Sequence, residues 1–509
     1  MKCWWLICAV FALCCSAIAG GPPVLEPVMQ GENSATEQHA GKSYPVFRAA
    51  SDQKLVDAIG QVFATSFAGE MERLYILGRS VAHSPESATP LYLLLSQEEG
   101  GYARRDFFLQ SATGQRTFIS ADYVDLVVDN ESVQSGDFEE IFSHELGHLI
   151  LRTLTGELLG PRSNKMHQSM TLTDYRTAFD EGFAEHFQPL ARENSMNPNL
   201  VRQQRGAPAP PLNQEFLSQR DQLLRNFGPQ QNLFIHDRFV PACTSPRECY
   251  VLEETSTSFD PAQLRTGQQM LSSEGVVATT FLYLVSANAL PTCIPRNGVA
   301  PDCSALESQY KQIFEALAAL KLNPTQSPLI AMLQSYRAKF PEEGKRATTD
   351  FLLLTRGATA SLDLLHGAEE LDRASARVDI AVFRTRLHSL RDLLKQVTDD
   401  VLAGKSQLDA AVGPELWIRN QAFTHSSLWN PAGEAPLRIS LNTASAEELA
   451  TLPQFSADNA HAIVRERKQR GYFSSINQMV EVLKLTPAQA DVLKQAEQSQ
   501  ATAEPDPVQ

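Results

Sequence analysis

Apolar positions recur with a helical period from Ser51 to Leu77, where Leu55, Ile59, Val62, Phe63, Phe67, Leu74 and Leu77 form one stripe. Leu91–Leu95 then reads as a buried strand, Tyr102–Leu109 and Thr117–Ile119 as weaker strands, and Tyr123–Asp129 as a further strand. From about residue 195 the pattern turns mostly helical, with stretches near 215–226, 261–286, 304–321, 325–339, 344–364 and 374–404. Arg205–Gln214 is a Pro-rich loop, and no fixed-period repeat runs through the chain. The pattern predicts an α+β fold that is predominantly helical: a small sheet, a helical remainder, and a small all-α unit at the end.

The ends read differently from the middle. Lys2 precedes an apolar run from Trp4 to Ile18, and Ala17 and Ala19 offer small residues at −3 and −1 of a cleavage point. Residues 1–19 therefore read as a signal peptide, which places the rest outside a bacterial cytoplasm, periplasmic or secreted. No later stretch is long and apolar enough for a transmembrane helix. Residues 20–45, rich in Gly, Pro, Ser, Glu and Gln, read as a flexible leader, 46–424 as the main folded region, 425–437 as a linker, 438–497 as a compact helical module, and 498–509 as a disordered tail.

A formal net charge of −15 disfavours nonspecific nucleic-acid binding by the overall field, so such binding needs a local basic patch. Of eight cysteines, four fall in the signal region. Cys243, Cys249, Cys293 and Cys303 remain, an even number that suits disulfides in an exported chain. Three pairings are open; Cys243–Cys249 and Cys293–Cys303 are favoured because each pair brackets a Pro-containing loop. A four-thiolate metal site is the rival reading, and the spacings are wide for it.

The chemistry lies in two segments. The first holds His144-Glu145-Leu146-Gly147-His148 on an expected helix whose start has capping-box spacing at Asp137 and Glu140. Residues four apart share a helix face, so His144 and His148 can present two imidazoles to one ion. Glu145 beside them can take a proton from a water that the ion has acidified. A third protein ligand is then required, and Asp180-Glu181-Gly182-Phe183-Ala184-Glu185 supplies it on a helix that Thr173 or Asp174 can cap. Glu181 is the expected metal ligand, and Glu185 is expected to accept the other ring N–H of a ligand histidine, most simply His144. The bland alternative, two surface histidines on an ordinary helix, leaves the second segment without a reason. Zn2+ is the expected cofactor and a peptide or protein the expected substrate.

At these residues the sequence resembles the gluzincin metallopeptidases, sharply over about 120–190 and vaguely elsewhere. The resemblance implies His144 and His148 as ligands, Glu145 as general base, Glu181 as third ligand and Glu185 as its outer carboxylate. It also implies an edge strand for extended substrate, where Tyr123–Asp129 stands. The aminopeptidase string that holds a substrate amino terminus has no counterpart; Gly69-Glu70-Met71-Glu72-Arg73 lies too far upstream, which favours an endopeptidase. His236, Tyr250 and Tyr283 are candidates for the group that stabilises the transition state. His167, between the two segments, reads as a surface residue, and Glu274 as a helix-end carboxylate rather than a binder of a substrate amine.

Ile439–Pro453 and later Arg470-Gly471-Tyr472-Phe473 resemble the tandem helix-hairpin-helix module of bacterial competence-type DNA receptors. Ser445 and Glu448 have capping-box spacing. The family's hairpin glycines are missing from Leu452–Ser456 and from Leu483–Pro487. Between 438 and 494, seven Lys and Arg face six Asp and Glu, a net of about +1. A protein-interaction or structural role therefore ranks above DNA binding. The competing reading of the whole chain is a nonenzymatic adaptor with a structural metal and a DNA- or protein-binding module.

Overall fold

The structure is a computed structural model; it describes residues 21–83, 89–96, 100–158, 160–163, 167, 171–200, 236–239, 250–253, 264–286, 293, 303–323, 325–377, 379–427 and 430–501. The signal region, the Arg205–Gln214 loop, the 215–226 helix and the Cys243–Cys249 pairing lie outside the described residues. The chain is α+β and mainly helical, as the pattern predicts. It divides into two compact units: 1–156, 184–218 and 285–318 form one; 157–183, 219–284 and 319–509 form the other.

In the first unit, β1 (Val24–Pro27), β6 (Tyr92–Leu95), β8 (Arg116–Leu126), β7 (Gly101–Gln110) and β5 (Lys42–Ala49) are neighbours in that order. β1 pairs with β5 as well as β6, so the five strands close on themselves, and β4 (Thr36–His39) adds to β5. Two expectations are corrected here. Residues 20–45 are no flexible leader: β1, the short β2 (Met29–Gln30) and β3 (Asn33–Ser34), β4 and the start of β5 fill them. Leu25, Val28 and Ala35 are buried among their apolar seats, and a strand needs few such residues when its neighbours supply the hydrogen-bond ladder. Nor is the strand at Tyr123 an edge: Tyr123–Leu126 pairs with β6 on one side and with β7 on the other.

The expected 51–77 helix is two, α1 (Gln53–Thr65) and α2 (Phe67–Val81). Ser66 is extended; its N–H closes α1 on the Val62 carbonyl, and its hydroxyl accepts the Ala68 N–H of α2. After α3 (Asn130–Ser135) comes α4 (Asp137–Thr155), the helix of the first motif. Its N-cap is Gly136, at φ 95°, so Asp137 is the first helical residue and not the cap. Asp137, Glu139 and Glu140 still favour its positive end. Phe142 of α4 meets Phe63 of α1 edge-on at 4.9 Å. α6 (Phe187–Glu193) is tied to α4 by the buried Arg192–Glu140 ion pair, and Phe187 stacks on Tyr310 of α9 (Ser304–Ala318). Cys293 and Cys303 form the expected disulfide.

The second unit holds most of α5 (Tyr175–Glu185), α7 (Gly267–Leu271), α8 (Glu274–Ser286) and α10 to α13 (Pro328–Lys339, Pro341–Leu354, Leu362–Ala376, Ile380–Leu402). Phe183 packs edge-on against Phe281 of α8 at 4.9 Å. A buried Arg176–Glu415 ion pair joins the start of α5 to the chain before β11 (Trp417–Ser427), where the Tyr175 hydroxyl also donates to the Gly413 carbonyl. β11 pairs with β12 (Asn430–Ser440), so the segment expected as a linker at 425–437 lies within a hairpin. α14 (Ala446–Ala450), α15 (Ala457–Arg470), α16 (Ile476–Leu483) and α17 (Pro487–Ala501) follow, sharing a core with Ile418 and Ile439 from the two ends of that hairpin. No helix among the described residues is long and apolar enough to cross a membrane.

Candidate metal centre

α4 places the two ring nitrogens Nε2 of His144 and His148 3.2 Å apart. Two nitrogens bound at zinc's usual bond length in a tetrahedron stand about 3.3 Å apart, so this is the separation a shared ion requires. α5 is fixed at its start by Asp174, whose carboxylate accepts the N–H groups of Arg176 and Thr177, both at 2.9 Å. Asp174, and not Thr173, is therefore the cap of the two considered. Near its end, α5 lies against α4 at Gly147: a Cβ there would meet the Ala184 Cα at 2.8 Å. Glu181 stands three residues before Ala184 on the same unbroken helix. His144 and His148 thus share a face of α4, and Glu181 is the third donor that the sequence offers. Two imidazoles and a carboxylate suit zinc in hardness and in number.

Two further groups bear on this trio. Glu145 is buried, and its carboxylate lies against Gly101 at the start of β7; a Cβ on Gly101 would come within 2.5 Å of its Oε1. The side-chain amide of Gln188 sits 3.0 Å from His144 Nδ1. Its Oε1 is buried without a hydrogen-bond partner. Turning the amide over gives that oxygen the Nδ1–H, fixes the tautomer and leaves Nε2 for a metal. The sequence reading missed Gln188 because the helix breaks at His186, where α5 gives way to α6. Glu185, the residue expected at that nitrogen, is buried as the last residue of α5, and its contact with His144 remains a proposal.

His167 is no ordinary surface residue: its Nδ1 lies 3.4 Å from Glu181 Oε2 and 3.7 Å from Glu274 Oε1. Glu274 does begin a helix, as read from the sequence, yet it is 3% exposed. Among the expected transition-state candidates, Tyr283 packs with Arg346, Asp350 and Phe351, and burial, helped by Asp350, pushes its hydroxyl up to about 12. His236 and Tyr250 open β9 (His236–Phe239) and β10 (Tyr250–Glu253), which pair with each other.

The C-terminal module explains its own sequence signature. Asn442 accepts the Phe473 N–H and donates to the Phe473 carbonyl, both at 2.8 Å, and also donates to the Pro414 carbonyl. The two clearest matches of the sequence, around Asn442 and around Tyr472, are thus one internal clasp. Ser445 and Glu448 make the expected capping box. Arg467 is 2% exposed and donates to the carbonyls of Leu441 and Ala444; burial lowers its pKa to about 10. Arg470 pairs with Glu466 and lies over the Phe473 ring. Much of the basic run from Arg465 to Arg470 is therefore structural. Where the hairpins lack glycine, Gln454 and Lys484 adopt positive φ.

A family model described as a helix-hairpin-helix motif matches residues 437–496, so this segment carries that motif. No curated protein and no solved structure matches the chain.

Proposed function

We propose that the chain is an exported zinc-dependent endopeptidase whose metal is held by His144, His148 and Glu181, with Glu145 as general base. The observation that carries this reading is the pair of ring nitrogens 3.2 Å apart on α4 beside a buried glutamate, with the end of the Glu181-bearing helix packed at Ala184 against Gly147. A zinc ion there supplies Lewis acidity, acidifying a water and polarising a carbonyl oxygen. The chain's own groups supply the rest. Glu145 takes the proton of the attacking water and returns it to the leaving amine. Gln188 and Glu185 orient the ligating imidazoles. An extended peptide lies near the Gly101 end of β7, where the backbone meets Glu145.

The test is hydrolysis of a broad peptide library by the full chain before and after chelation. Activity lost on chelation and restored by one equivalent of zinc supports the proposal; activity indifferent to chelation contradicts it. The helix-hairpin-helix match favours a second reading, a nonenzymatic adaptor with a structural metal whose module binds a protein or DNA. Tight zinc retention without any hydrolysis supports that one.

A further inference from the structure

Three contacts fix the start of α8 beside α5. Leu172 and Ser273 form an isolated antiparallel bridge, and the Thr173 N–H donates to the Ser272 carbonyl at 2.8 Å. Next to Glu181, Gly182 allows the closest approach: a Cβ there would stand 2.6 Å from the Glu274 carbonyl oxygen and 2.6 Å from Val277 Cβ. This packing carries the Glu274 side chain inward, where a carboxylate is costly to desolvate unless a donor meets it. The His167 ring faces it within ion-pair reach, its Nδ1 3.7 Å from Glu274 Oε1 and nearer, at 3.4 Å, to Glu181 Oε2.

We propose that His167 is a positioning residue for the metal-binding carboxylate: it holds Oε2 of Glu181 so that the other oxygen is presented to the ion, and Glu274 in turn steadies the imidazole. The proposal rests on the zinc-site reading above. A carboxylate ligand held at one oxygen binds through the other in a single orientation, whereas an unsupported one samples several. The chain thus supports its third ligand from a loop and a helix that follow no motif spacing.

Zinc affinity measured by chelator competition tests this on the full chain, comparing the parent with His167→Ala, His167→Asn and His167→Gln. Far-ultraviolet circular dichroism and melting temperature monitor the fold. The amide N–H of Asn falls where Nδ1 stands; that of Gln falls nearer Nε2. His167→Ala is expected to weaken zinc binding about 10- to 100-fold. His167→Asn recovers most of it and His167→Gln does not. The visible spectrum of the cobalt-substituted protein is expected to shift in the alanine variant and to return in the asparagine one. Equal zinc affinity and superimposable cobalt spectra in parent and alanine variant overturn the proposal while leaving the zinc site standing. A parent that binds no zinc removes both. If the alanine variant fails to fold, the Asn–Gln contrast decides: equal affinities overturn the proposal.

Discussion

Gly101 and Glu145 are the most closely fitted pair at the site. Replacing Gly101 with Ala puts a methyl where the Glu145 carboxylate lies and displaces the proposed base without touching His144, His148 or Glu181. Displacements of this size typically cost on the order of 100-fold in rate. Gly101→Ala is expected to lower kcat by about 10- to 100-fold with the zinc content unchanged, as read by metal analysis beside steady-state kinetics. The shared face of His144 and His148 was legible in the sequence because helical spacing alone puts residues four apart on one side. Gln188, His167 and Glu274 were not. Their places depend on a break at His186, on a loop, and on how closely α8 approaches Gly182, none of which leaves a periodic trace.

The elements meet at small residues. Gly147 lets α4 reach the backbone of α5, so Gly147→Val forces the helices apart against Ala184 and Phe187. A loss of about 1–3 kcal/mol in unfolding free energy is expected, together with weaker zinc binding, measured by denaturant titration and chelator competition. In the module, Arg467 serves two carbonyls that nothing in Met can reach. Arg467→Met is expected to destabilise the module by about 1–3 kcal/mol, seen as earlier loss of hydrogen-exchange protection in α15. The capping box at Ser445 was readable from sequence because it is local. The strands of residues 24–49 were not: their polar composition resembles a leader, and their long-range pairing joins residues as far apart in sequence as Val24 and Leu93. The interior position of β8 was hidden for the same reason, since its two neighbours lie on either side in space and not along the chain.

Over the whole molecule, each unit buries an acid that titrates near neutrality. Burial raises Glu70 to about 7, opposed by Arg73; burial raises Glu415 to about 7, helped by Asp174 and opposed by Arg176. In an unfolded chain both return to ordinary glutamate values. Between about pH 4.5 and pH 7 the folded protein therefore holds more protons, and stability falls as pH rises through that window. The melting temperature is expected to drop from pH 5 to pH 7.5, and Glu70→Gln to flatten the drop; a Glu70→Gln profile parallel to the parent's contradicts this. At this scale the mainly helical α+β class and the C-terminal module were legible from patterning, while the closed strand arrangement was not. The central claim is tested most directly by zinc content and peptidase activity measured side by side for the full chain and its Glu145→Gln variant. The account predicts one zinc in each and hydrolysis reduced at least about 100-fold in the variant. Zinc absent from both, or equal activity in both, contradicts it.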